Sequence, residues 1–176
     1  MIKRNFHIPF GHTADHSLDY LLGILDDVRV TTLQRVAGCT TQELDWQYRE
    51  GWNTIGALLS HMTALDHYFR IEYLERRSLT EEENERWLPA LDLGPYVPQL
   101  ISNQPLEVYI AEMEESRHLL LEALKNLTFE DFQKRIAGYD PVEGCNLAWV
   151  LYHMAEDELH HRGQISILRK LYRDSH

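Results

Sequence analysis

The sequence predicts an all-α protein: a four-helix bundle in a single domain, residues 1–176, with a long connection between the second and third helices. Three observations carry that reading. Four long stretches repeat apolar residues at the i, i+3, i+4, i+7 spacing of an amphipathic helix. No stretch alternates apolar and polar residues convincingly enough for a strand. The length of 176 residues suits one domain and is enough to bury a substantial core.

Residues 1–14 carry His7 and His12 around Pro9 and Gly11 and read as an extended lead-in. The first helix is expected from Asp15 to Val36, with Leu18, Leu21, Leu22, Leu25, Val28, Thr32 and Val36 on its core face and Gly38 as a stop. Thr40 or Thr41 followed by Glu43 points to a short capped turn, and Gly51 breaks the chain. Asn53 is expected to cap a second helix running from Thr54 to Arg76. Ile55, Leu58, Leu59, Met62, Leu65, Phe69 and Tyr73 mark its buried stripe, and His61 lies beside it.

The charged run Arg76–Arg86 and the proline-spaced run Pro89–Pro105 break the periodicity and read as a connection, with a short helix around Glu81–Leu88. A link of this length is uncommon in a compact domain and is often a lid or an oligomer contact. It allows a crossover in place of simple up-down topology. A third helix follows from Leu106 to Leu127, with Val108, Ile110, Met113, Leu120, Leu124 and Leu127 apolar, and a second connection leads to Cys145. The fourth helix runs from Asn146 to Arg173. Asn146 offers an N-cap oxygen, and Arg169, Lys170 and Arg173 put positive charge where the helix dipole favours it.

Composition narrows the function classes. Hydrophobic residues make up 44% and charged residues 26%, ordinary for a soluble globular protein. No run of about 18 apolar residues offers a membrane span, and the N-terminus lacks the apolar core of a signal peptide, so a cytoplasmic location is the default. A formal net charge of −11 argues against nucleic acid as a partner. Cys39 and Cys145 form neither a disulfide framework nor a CxxC motif and are expected to be free.

The chemistry concentrates on the fourth helix. Its apolar stripe, Leu147, Val150, Leu151, Met154, Ile165 and Leu168, has a gap where two more leucines belong, and there stand Asp157 and His161, four residues apart on one face. A buried carboxylate without a charged partner is costly. A divalent metal held by His61, Asp157 and His161 would supply one, with open positions left as in catalytic sites. A buried polar network, in which Asp157 pairs with His161 or His61, would supply another. Spacing alone leaves both readings open.

His153, one turn before Asp157, could extend the ligand row. His160 is expected to face solvent or a subunit contact. Asp66 and His67 could fix the tautomer of His61, though structural roles are preferred for both. Arg162 reads as a surface or interface residue, and Gly163 in mid-helix suggests close packing or ligand approach. Trp46, Trp52, Trp87 and Trp149 read as packing anchors. The chain contains no GxSxG, glycine-rich phosphate loop or HExxH, and lacks the paired Glu-x-x-His motifs of di-iron bundles.

The segment WNTIGALLSHMTALDHYF, followed later by HMAEDELHHRGQISILRKL, resembles the DinB-like (YfiT-like) metalloenzyme superfamily over most of the chain. HHRGQI on the last helix is the more specific half. The resemblance implies a four-helix bundle, commonly a homodimer, with zinc or nickel, or manganese, held by a histidine of helix two and an H-x-x-x-H pair of helix four. His61 and His161 match that pattern, and Asp157 stands where the family usually has histidine. Carboxylates occupy this position in the related mycothiol-dependent maleylpyruvate isomerases, and His153 is the alternative donor. The activity implied is a low-molecular-weight-thiol S-transferase of the bacillithiol or mycothiol type, acting on a small-molecule thiol and an electrophile. A metal-dependent hydrolase and a non-catalytic metal- or ligand-binding stress-response bundle are the alternatives.

Overall fold

The computed structural model describes residue 16, residues 18–136 and residues 145–176. The lead-in with His7 and His12, the expected helix start at Asp15 and the middle of the second connection lie outside the described residues. The fold is all-α, built on four long helices: α1 (Asp19–Val36), α3 (Ile55–Phe69), α6 (Leu106–Leu124) and α8 (Leu147–Ser175). Shorter elements join them: α2 (Thr41–Asp45), α4 (Glu81–Asp92), α5 (Val97–Leu100) and α7 (Phe129–Gln133). Two residues on each side of the second connection, β1 (Arg135–Ile136) and β2 (Cys145–Asn146), pair antiparallel, a contact too short to leave an alternating pattern in the sequence.

Local chemistry sets the helix ends. Thr54, not Asn53, caps α3, its hydroxyl accepting from the Ala57 amide at 3.1 Å. Asn146 caps α8 as expected, accepting from the Trp149 amide at 2.9 Å. The second helix is α-helical only to Phe69. Arg70–Leu74 form a π-helical turn, and Arg76 leaves it with φ at 55°. The helix expected over Glu81–Leu88 extends to Asp92, started by a Thr80–Glu83 capping box and carrying Pro89 inside it. Trp87 and Ala90 of α4 pack against Ala64 of α3, so this part of the long connection lies on the bundle.

Two apolar clusters fill the interior. One contains Leu33 and Val36 of α1, Leu58 and Met62 of α3, Met113 of α6 and Ile165 of α8. The other contains Leu22 and Leu25 of α1, Phe69 at the end of α3, Leu120 and Leu124 of α6, and Leu151 and Met154 of α8. Following the numbers through the two clusters gives the direction of each helix. α1 and α8 run one way, and α3 and α6 run the other. α3 and α6 are consecutive long helices yet parallel, so residues 75–105 make the crossover that the length of this connection allows.

Between the two clusters lies a layer of charge. Arg29 (α1), Asp66 (α3), Arg117 (α6) and Glu158 (α8) are all buried, one from each long helix. Arg29 reaches Glu158 at 3.0 Å and Asp66 at 3.2 Å. Arg117 reaches Asp66 at 3.2 Å and Glu158 at 3.1 Å. A backbone carbonyl accepts from Nη1 of each guanidinium: Met113 from Arg29, and Leu25 from Arg117 at 2.9 Å. Ser116 donates to Asp66 at 3.0 Å. Two positive and two negative charges thus cancel with their hydrogen bonds made, the condition under which buried ions are tolerable. Burial works to raise the Asp66 carboxyl, but Arg117, Arg29 and Ser116 outweigh it and hold it below the ordinary carboxylate value. Asp66 therefore belongs to this layer and does not orient His61.

Candidate metal centre

His61 of α3 and Asp157 and His161 of α8 come together beside the charged layer, with one donor atom from each within 4.8 Å of the others. The i, i+4 spacing on α8 stacks Asp157 under His161, and the antiparallel passage of α3 brings His61 across from them. The two imidazoles meet edge to face, ring centroids 4.9 Å apart. His61 Nε2 lies 3.5 Å from Asp157 Oδ2, and His161 Nε2 lies 3.3 Å from Asp157 Oδ1.

The outer nitrogens of both rings are anchored. His61 Nδ1 sits 2.8 Å from the Ala90 carbonyl of α4, which can only accept, so this nitrogen carries the proton. His161 Nδ1 sits 3.2 Å from Gln164 Oε1, and the amide nitrogen of Gln164 sits 2.7 Å from Nε2 of His160. Both Nε2 atoms therefore face the carboxylate as the free ends of their rings. Asp157 Oδ2 is a buried oxygen without a hydrogen-bond partner among the described residues. Burial works to raise the Asp157 carboxyl, but His161 and His61 outweigh it and hold it well below the usual range. Burial works to lower His161, and Asp157 outweighs it, so that histidine titrates above its ordinary value.

This arrangement suits a divalent cation. Two imidazole nitrogens and a carboxylate oxygen are a donor set for zinc, nickel or manganese alike. At metal–ligand distances near 2.1 Å, the donors of a tetrahedral site lie about 3.4 Å apart, close to the two nitrogen–oxygen separations found. The orphaned Oδ2 supplies the unmet demand for positive charge. Without a cation, a proton on the inner nitrogen of His161 meets part of that demand.

Several expected positions differ. Glu158, not Asp157, fills the buried stripe position between Met154 and His161; Asp157 flanks it, its side chain 19% exposed. His153 stacks on Trp149 at 4.9 Å, apart from the cluster. His67 stacks on Trp87 at 4.4 Å, and the partner of His61 is a backbone carbonyl instead. A Cβ at Gly163 would meet nothing within 4 Å, which removes the close-packing explanation. Trp87 is buried as an anchor should be, whereas Trp52 and Trp149 are exposed. Burial pushes the Cys39 thiol up to about 12, so it stays protonated at neutral pH. Arg29, Arg117 and the buried role of Glu158, which the sequence offered only as half of an unpaired Glu-x-x-His motif, went unread, and Gln164 entered only within HHRGQI. The first three interrupt apolar stripes at i+4 positions, after Leu25, Met113 and Met154, the same signal that exposed His161.

Among family models, that of the DinB superfamily matches residues 24–165, a span that includes all three residues of the cluster. No curated protein matches the chain.

Proposed function

The chain belongs to the DinB superfamily, and on that footing we propose that it is a metal-dependent enzyme, a low-molecular-weight-thiol S-transferase, with His61, Asp157 and His161 holding the metal. One observation carries the reading: two imidazoles present their inner nitrogens to one carboxylate, His161 to Oδ1 and His61 to Oδ2, the latter a buried oxygen without a hydrogen-bond partner among the described residues. The Ala90 carbonyl and Gln164 orient the rings from outside, and α4, packed on α3, shields His61 from water. A metal held by these three residues would supply the Lewis acidity that favours the thiolate form of a thiol at neutral pH. Cys39 supports a thiol from outside the chain, because its own sulfur is held protonated.

The test begins with elemental analysis of protein purified without a metal-affinity tag, beside His161→Ala and Asp157→Ala. The expected result is about one equivalent of zinc, nickel or manganese in the wild type and a large loss in both variants. Because a metal would take the place of the proton on the inner nitrogen of His161, titrating zinc into metal-free protein should release protons, which a weakly buffered indicator dye measures. If neither purified nor zinc-treated wild type holds metal, the cluster is a polar network and the enzyme reading falls. If metal binds, bacillithiol or mycothiol added to the cobalt-substituted protein should shift its visible spectrum. No shift with either thiol would favour a bundle that holds metal without turnover.

A further inference from the structure

The two histidines of the cluster are oriented by different means. A backbone carbonyl within α4 holds His61, and no substitution of a single side chain removes it. His161 depends on a side chain one turn along its own helix, since its Nδ1 faces Gln164 Oε1 at 3.2 Å. A primary amide presents either an oxygen or an NH2 group, depending on which way it is turned. Presented with the oxygen, His161 keeps its proton on Nδ1 and leaves Nε2 free toward Asp157. Presented with the NH2 group, Nδ1 must accept, the proton moves to Nε2, and the inner lone pair is lost.

What decides between these is the other end of the amide. Gln164 Nε2 lies 2.7 Å from Nε2 of His160, and since an amide NH2 only donates, this orientation holds when that ring nitrogen is the unprotonated one. His160 is exposed and is not one of the three residues whose donor atoms converge, although its ring lies 5.4 Å from that of His161. The run His160–Gln164–His161 thus reads as a directed chain: NH2 donates outward, oxygen accepts inward, and the inner ring is set.

We propose that Gln164 is a positioning residue for the metal centre, its side-chain oxygen fixing His161 in the tautomer and ring orientation that leave Nε2 free, with His160 setting the direction of the amide. The inference rests on the metal reading above but concerns one hydrogen bond of this chain, which can be observed by itself. Partners that orient ligating imidazoles typically contribute about 10- to 100-fold in metal affinity.

The variants separate the two ends of the amide. Gln164→Leu removes both the oxygen and the NH2 group. Gln164→Glu keeps an acceptor for His161 and gives up the donation to His160. Zinc affinity by competition with a chelating dye should fall about 10- to 100-fold in Gln164→Leu and stay at or above the wild-type value in Gln164→Glu. A residue that merely filled space would be disturbed by both. In nitrogen-15 spectra of the zinc-bound protein, His161 should show a protonated Nδ1 and a metal-bound Nε2 in the wild type and in Gln164→Glu. Equal zinc affinity in wild type and Gln164→Leu, with an unchanged His161 spectrum, overturns the proposal.

If the wild type binds no zinc, the metal reading fails, and the hydrogen bond is judged in metal-free protein in mildly acidic buffer. There the His161 Nδ1 proton should be visible in wild type and Gln164→Glu and exchange-broadened in Gln164→Leu. Its absence from the wild type would overturn the assignment of Gln164.

Discussion

Each residue of the buried layer depends on the others for its charge balance. Glu158 answers Arg29 at 3.0 Å and Arg117 at 3.1 Å, and both guanidiniums are buried with it. Glu158→Leu would leave a net positive charge in the core, and breaking a buried pair from one side costs about 3–5 kcal/mol. The expected outcome is a loss of that size in denaturant unfolding, while replacing all four residues with apolar side chains of similar volume should recover much of it. Asp157, one position earlier, is half-buried and faces a different pair of partners, so Asp157→Ala should remove metal binding with a much smaller loss of stability. A comparison of the two variants separates the core's charge layer from the cluster beside it.

The crossing of α3 with α6 rests on a missing side chain. A Cβ at Gly56 would lie 2.7 Å from the Tyr109 hydroxyl and 3.1 Å from its ring carbon, in a buried contact. That hydroxyl has no hydrogen-bond partner among the described residues. Gly56→Ala must therefore push Tyr109 aside, at a cost of about 1–3 kcal/mol for overpacking. Tyr109→Phe removes the clashing atom and loses no hydrogen bond. The double variant should recover a substantial part of the loss, a coupling that a double-mutant cycle of unfolding free energies reads directly. α3 also carries His61, so a shift of this helix should appear as weaker zinc binding in Gly56→Ala before any loss of fold.

The charge layer gives the whole molecule an acid limit. Asp66 has a folded pKa depressed below its ordinary value of 3.8. Its contribution to stability is therefore present above about pH 4 and is lost as pH falls through the depressed folded value. Unfolding free energy measured in chelator, so that no metal contributes, should fall steeply in that acid range, and Asp66→Asn should flatten the fall.

Much of this protein was legible before any coordinates. The apolar stripes of the four long helices, the cap at Asn146, the long link after the second helix and the trio His61, Asp157 and His161 follow from spacing along one chain. Spacing determines which residues share a helix face, and a polar residue on an apolar face announces itself. What spacing does not contain is the partner across the gap. Arg29, Asp66, Arg117 and Glu158 come from four helices, and only their packing shows that two charges of each sign meet and cancel. The direction of the crossover, the Ala90 carbonyl behind His61 and the Gln164 oxygen behind His161 are likewise products of packing. A sequence states each side chain's needs, and the tertiary structure decides which neighbour meets them, because hydrogen bonds and ion pairs act over a few ångströms and are blind to distance along the chain.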